Sequence, residues 1–166
     1  MKHFAWTATF LVAVLFFALA ACMGADGAAN SETSRTYIYL IALGDNGQSG
    51  EKIGCDDSVI PVEVEIEPTT APLTAALETL LSSKDQYYGQ SGLYNVFYQS
   101  DLSVDSIDIE NGEAIIRLMG DLQLGGVCDS PRVQAQLEQT ALQYEPVGSV
   151  TITVNGETLE SLLSGQ

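Results

Sequence analysis

The stretch 60-IPVEVEIEPTTAPLTAALETLLSS-83 changes its hydrophobic period halfway along. Up to Glu67, apolar and acidic residues alternate, with Val62, Val64 and Ile66 on one side and Glu63, Glu65 and Glu67 on the other. A period of two describes a strand with one face on a core and the other in water. From Leu73 the spacing becomes helical. Leu73, Ala76, Leu77, Leu80 and Leu81 fall at i, i+3, i+4, i+7 and i+8 and form one apolar stripe. Thr70 is the expected N-cap, and Pro72 fits the first turn, where its missing N–H is not needed. A half-wet strand followed by such a helix calls for helix layered on sheet.

The flanking segments extend this pattern. Upstream, 36-TYIYLIAL-43 is rich in β-branched and aromatic residues and predicts a buried strand, followed by the turn-dense loop 44-GDNGQSGEKIGCDDS-58. Downstream, 104-VDSIDIENGEAIIRLMG-120 predicts a hairpin, because Asn111-Gly112 supplies the two positive-φ residues of a type I′ turn. A second helix is expected with Ser130 as N-cap and Pro131 at its first position, turning Val133, Leu137, Thr140, Ala141 and Tyr144 inward. The segment 149-SVTITVNGETLESLL-163 supplies a strand, a turn at Asn155-Gly156 and a short apolar tail. The order is ββαββαβ. Strands that do not alternate one by one with helices argue against a purely parallel doubly wound sheet. The expected class is α+β, with two amphipathic helices on one face of a mixed, mostly antiparallel sheet.

The N-terminus places this domain outside the cytoplasm. Met1-Lys2-His3 is followed by the uncharged run 4-FAWTATFLVAVLFFALAA-21, which ends in 19-LAAC-22. That is the pattern of a bacterial lipobox, in which small residues admit the peptidase and the Cys22 thiol receives lipid. Each buried CH₂ contributes about 0.8 kcal/mol, so a multiply acylated Cys22 is the expected link to the cell membrane or outer membrane. An uncleaved anchor helix is the alternative. The expected organisation is a signal peptide over 1–21, lipidated Cys22 with a flexible tether to residue 35, and one domain over 36–166.

The 166-residue chain carries 22 acidic and six basic residues, a formal charge of −16, and becomes one unit more negative once Lys2 is removed. So acidic a body repels nucleic-acid phosphates and anionic head groups, so no nucleic-acid partner is expected. The single His, His3, precedes Cys22, so the mature chain lacks the imidazole of a Ser-His-Asp or Cys-His system. No G-x-S-x-G, P-loop or dinucleotide fingerprint is present. No catalytic residue and no cofactor are therefore expected.

Besides Cys22 there are two cysteines, Cys55 and Cys128, each followed by Asp. A zinc site needs about four ligands, and only these thiols with Asp56, Asp57 and Asp129 are on offer. A reactive thiol needs a base, and none lies nearby in sequence. In an oxidising compartment one internal disulfide is the expected outcome, and closing a loop of about 74 residues should stabilise by roughly 4 kcal/mol. The run Asp45 to Asp57 loosely suggests a weak cation or small-ligand site, but it lacks the Asp-x-Asp-x-Asp-Gly spacing of a calcium loop. No metal ligand is assigned.

The segment 87-YYGQSGLYNVFYQ-99 holds four of the seven tyrosines, Tyr87, Tyr88, Tyr94 and Tyr98. Tyr presents a large, stiff, amphipathic contact area, so these four are the candidate partner surface. Leu93, Tyr94 and Phe97 also read as a short turn closing the core, which leaves Tyr87 and Tyr88 as the better exposed pair. The row Glu63, Glu65, Glu67 reads first as a solvated face that discourages edge pairing, with docking to a basic partner as the other reading.

The stretches 60-IPVEVEI-66, 76-ALETLLSS-83, 91-SGLYNVF-97, 111-NGEAIIRL-118, 132-RVQAQLEQTALQY-144 and 147-VGSVTITVNGETL-159 resemble the GerMN domain of sporulation and spore germination proteins. The resemblance covers roughly Tyr37 to Leu159 and rests on core and turn residues. After Gly92-Leu93 the chain departs from the commoner Pro-Gly turn and has 97-FYQSD-101. The resemblance implies an exported lipoprotein that is not an enzyme and that assembles with envelope proteins or with itself. The alternative function is an envelope lipoprotein that binds a cation or small ligand through its acidic loop.

Overall fold

The computed structural model describes residues 33–164. The signal segment, Cys22 and most of the tether lie outside the described residues. Strand β1 (Ser34–Ala42) starts two residues before the expected domain boundary. A loop carrying the two-residue strand β2 (Glu51–Lys52) and a 3-10 turn (Gly54–Asp56) leads into β3 (Ser58–Ile66). Helix α1 (Pro72–Ser82) follows, then the short strands β4 (Tyr87–Tyr88) and β5 (Leu93–Tyr94) and a 3-10 turn (Val96–Gln99). The hairpin β6 (Asp101–Glu110) and β7 (Glu113–Asp121) leads to α2 (Asp129–Leu142). The chain ends in β8 (Ser149–Val154), β9 (Glu157–Thr158) and α3 (Leu159–Ser164).

The class is α+β, and the long elements run β1, β3, α1, β6, β7, α2, β8. The strands divide between two sheets, where one was expected. The first has the order β2-β3-β1-β5-β4 and is antiparallel throughout. The second has the order β6-β7-β8-β9, with β7 and β8 parallel because α2 crosses over between them. The sheets separate because each long helix packs against strands of both: α1 against β1 and β6, α2 against β1 and β8. One hydrophobic core joins them, including Ile38 and Leu40 of β1, Leu77 and Leu80 of α1, Ile116 and Leu118 of β7 and Leu137 of α2. Among the described residues no helix is long and apolar enough to cross a membrane.

Local rules account for most element ends. The stripe Leu73, Ala76, Leu77, Leu80, Leu81 is the buried face of α1. Its N-cap is Ala71 rather than Thr70: Pro72 takes the first helical position, and the Thr69 hydroxyl accepts from the Ala71 N–H at 3.0 Å. Helix α2 starts two residues earlier than expected, with Asp129 in its first turn and Cys128 at the cap position, while the Ser130 hydroxyl donates to the Leu163 carbonyl. Asn111 (φ 53°) and Gly112 (φ 85°) form the hairpin turn, and Asn155 and Gly156 repeat it between β8 and β9.

The buried face of α2 carries Gln136 and Thr140 among its apolar residues. They belong to a polar ladder along the edge of β1 that β3 leaves open. The Gln143 carboxamide accepts from the Tyr37 N–H at 3.0 Å and donates to the Tyr37 carbonyl at 2.6 Å. Two residues on, the Thr140 hydroxyl accepts from the Tyr39 N–H at 3.2 Å and the Gln136 amide donates to the Tyr39 carbonyl at 2.8 Å. Gln136 also accepts from the Val96 N–H at 2.9 Å. Helix side chains thus replace a neighbouring strand, satisfying backbone groups that would otherwise be costly to bury or open to foreign pairing.

Candidate functional site

The loop of residues 43–57 and the N-terminus of α2 meet around Cys55 and Cys128, which are joined by a disulfide with a Cα–Cα distance of 5.8 Å. The Asp residues beside them serve this junction. Asp57 is only 1% exposed and accepts from the Gly44 N–H at 2.8 Å on one oxygen and from Arg132 Nε and Nη2, both at 2.7 Å, on the other. Arg132 Nη1 reaches Asp129 at 3.1 Å, and Asp129 accepts in addition from the Gly125 N–H at 2.6 Å. One guanidinium therefore spans two carboxylates on the two sides of the disulfide. Burial alone would lower the Arg132 pKa, but Asp57 and Asp129 outweigh it and raise the value above the ordinary one.

Arg132 also lies over the Tyr94 ring, with Cζ 5.3 Å from its centroid. Tyr94 continues into an aromatic chain, with centroids 6.0 Å from both Tyr87 and Tyr98. Burial pushes the Tyr94 phenol up to about 12, and the negative charge of Asp129 adds to the effect. At neutral pH this phenol is a packing group. Arg132 was hidden within an ordinary amphipathic helix pattern; its only sequence signal is its position four residues after Cys128.

The four candidate surface tyrosines do not share one environment. Tyr87 is 47% exposed on β4, at the edge of the first sheet. Tyr88 points the other way and packs half-buried on the core, Tyr94 is buried, and Tyr98 is half-buried. The pairing of β4 with β5 explains the split, because neighbours along a strand face opposite sides. Two tyrosines outside the candidate segment, Tyr37 and Tyr39, alternate along β1 with buried Ile38 and Leu40. Tyr37 is exposed and Tyr39 half-buried against the core, so this face of β1 is wet at its N-terminal end and closes at buried Ile41. The period of two across 37–40 was the signal for this.

The acidic loop is already satisfied internally. Asp45 accepts from the Ser58 hydroxyl at 2.6 Å and from the Ser49 N–H and hydroxyl at 2.7 and 2.8 Å, and these bonds, led by that of Ser58, lower its pKa. Asp56 pairs with Lys52 at 2.9 Å, and Asp57 is held by Arg132. Among the described residues no group of three or more His, Cys, Asp or Glu side chains converges as a metal shell. What the loop and α2 build is a structural clamp.

An α+β domain of two sheets bridged by two helices, locked at one end by this clamp, is the class defined by the geometry. The chain belongs to the family described as Germane, sporulation and spore germination, which it matches over residues 38–160. Its domain is of the GerMN type. It is similar to the solved tandem GerMN domains of the sporulation protein GerM from Bacillus subtilis, with 20% identity and a TM-score of 0.55 over 76% of this chain and 40% of that one. It is also similar to the first GerMN domain of that protein, with 18% identity and a TM-score of 0.54 over 77% and 87% of the two chains. At these identities the likeness is one of fold. This chain thus spans less than half of the tandem-domain structure. No curated protein matches the sequence.

Proposed function

We propose that this chain is an exported envelope lipoprotein, tethered through Cys22 after removal of residues 1–21, whose GerMN-type domain over 36–166 acts by binding other envelope proteins or itself and performs no catalysis. The observation that carries the binding role is the exposed edge formed by β4, where Tyr87 projects from an aromatic chain braced by Arg132. A rigid aromatic side chain already stacked on its neighbours loses little freedom on contact, which is what an interface anchor requires. The match to a sporulation and spore germination family over residues 38–160 supports the envelope setting of the reading. The anchor rests on 19-LAAC-22.

Two measurements test this. Labelling with a fatty-acid analogue should mark the wild-type chain and release Cys22→Ser from the membrane fraction; an unlabelled wild-type chain sinks the anchor. Crosslinking in cells should trap complexes that Tyr87→Ser diminishes. If Tyr87→Ser gives an unchanged crosslink pattern, β4 is not the contact.

A further inference from the structure

We propose that the outward face of the first sheet receives an extended, lysine- or arginine-bearing segment of a partner protein. The proposal rests on the binding reading above and gives it a second surface and a partner chemistry. The antiparallel register defines that face: Tyr37 lies opposite Glu63, Tyr39 opposite Pro61, and Arg35 opposite Glu65, while Glu51 of β2 lies opposite Val59 of β3. Residues directly opposite one another share a face. The face is closed at the end where Ile41 lies opposite Val59, both buried. It opens into a strip in which Tyr37, 43% exposed, and half-buried Tyr39 are flanked by Pro61 and the exposed carboxylates of Glu51, Glu63 and Glu65. The Tyr39 phenol, raised chiefly by burial, also feels Tyr37 and Glu51, which places the three groups together.

Charge complementarity selects the occupant. Three exposed carboxylates on this face meet one cation, Arg35, whose pairing with Glu63 at 3.6 Å leaves both side chains largely in water. Such a pair holds weakly and exchanges readily for a better-placed cation. The ring faces of tyrosine attract ammonium and guanidinium groups, and the aliphatic stems of Lys and Arg cover apolar rings and Pro61. Tyr37 and Tyr39 are about 7 Å apart along β1, the spacing of residues i and i+2 in an extended peptide. A second copy of this chain, at a formal charge of −16, brings the wrong sign.

The test uses the full chain in detergent at low salt and a fluorescent peptide of alternating lysine and serine, with an alternating glutamate and serine peptide for comparison. Binding of the lysine peptide should weaken about tenfold in Glu63→Gln/Glu65→Gln and about threefold in Tyr37→Ser. It should stay within about twofold in Glu110→Gln/Asp121→Asn, which removes two charges from the second sheet. Thermal melting of each variant confirms that the exposed substitutions leave the fold intact. Equal weakening by the second-sheet variant would mean a general field effect and would overturn the proposal, as would no effect of Tyr37→Ser, no binding of the lysine peptide, or equal binding of the glutamate peptide. Should the peptide fail to bind while Tyr87→Ser still abolishes complexes in cells, this inference falls and the binding function stands.

Discussion

In the second sheet, β6 and β7 are joined by a two-residue turn and pair from Asp101 opposite Asp121 to Glu110 opposite Glu113, so neighbours in space are neighbours in sequence. In the first sheet, β1 pairs along its length with β3, and contacts that span the chain reinforce it: Gln143 on Tyr37, Gln136 on Tyr39, and, in the loop before β3, the pairing of Arg132 with Asp57 and of Cys128 with Cys55. Both sheets rest on antiparallel backbone ladders, and the first adds to its own the side chains delivered from α2. Loss of a single side chain should therefore cost more in the first sheet than in the second, unless a change in the second strikes the backbone itself.

Opening the disulfide is the largest test. Cys55 and Cys128 are 73 residues apart in sequence, so Cys55→Ser/Cys128→Ser should lower stability by about 4 kcal/mol, measured by urea unfolding. A loss below about 1 kcal/mol would mean that the ionic clamp closes the loop unaided. Next, Arg132→Met keeps much of the volume of the stem but leaves Asp57 and Asp129 in the interior without their cation. We expect a loss of roughly 3 kcal/mol. The contrast between the sheets is broken if this variant is neutral. On the second sheet, Gly120 has φ +117°, and a Cβ there would stand 1.9 Å from the Asp101 carbonyl oxygen. Gly120→Ala must shift the end of the β6–β7 pairing and should cost about 2 kcal/mol. A smaller effect would show that this strand end yields easily.

The same contrast explains what could be read from the sequence. Asn111-Gly112 and Asn155-Gly156 encode their turns locally, and the stripe Leu73 to Leu81 encodes the buried face of α1 with the same five residues that the structure buries. The division into two sheets was not legible, because period and order do not say which strands pair when a helix can lie between them. Gln136 and Thr140 were not legible as anchors either, because a polar residue on a helix gives no sign of which backbone edge it will meet. The surface tyrosines show both cases. Composition drew attention to 87–99, yet the strand pairing turns Tyr88 inward and brings Tyr37 to the outside with Tyr39 half-buried beside it. Cys55 and Cys128 stood out by their number alone, but the arginine that holds their Asp neighbours carried no such mark.

The smallest effect concerns Asp45, where a side chain again organises the first-sheet region from a distance in sequence. Its carboxyl is held below the ordinary value of 3.8 by the Ser58 hydroxyl first and then by Ser49. A group with a depressed folded pKa stabilises the fold while ionised, above its unfolded pKa, and that contribution is lost as the pH falls through the folded value. Wild-type stability should therefore drop more steeply below about pH 4 than that of Asp45→Asn, which has no proton to take up. Ser58→Ala should flatten the acid limb nearly as much, because it removes the leading cause of the shift. Ser49→Ala should flatten it less, because the Ser49 backbone N–H still donates at 2.7 Å. Urea midpoints followed from pH 5 downward separate the three, and parallel curves for wild type and Asp45→Asn would show that these hydroxyls hold the loop without favouring the ionised carboxylate.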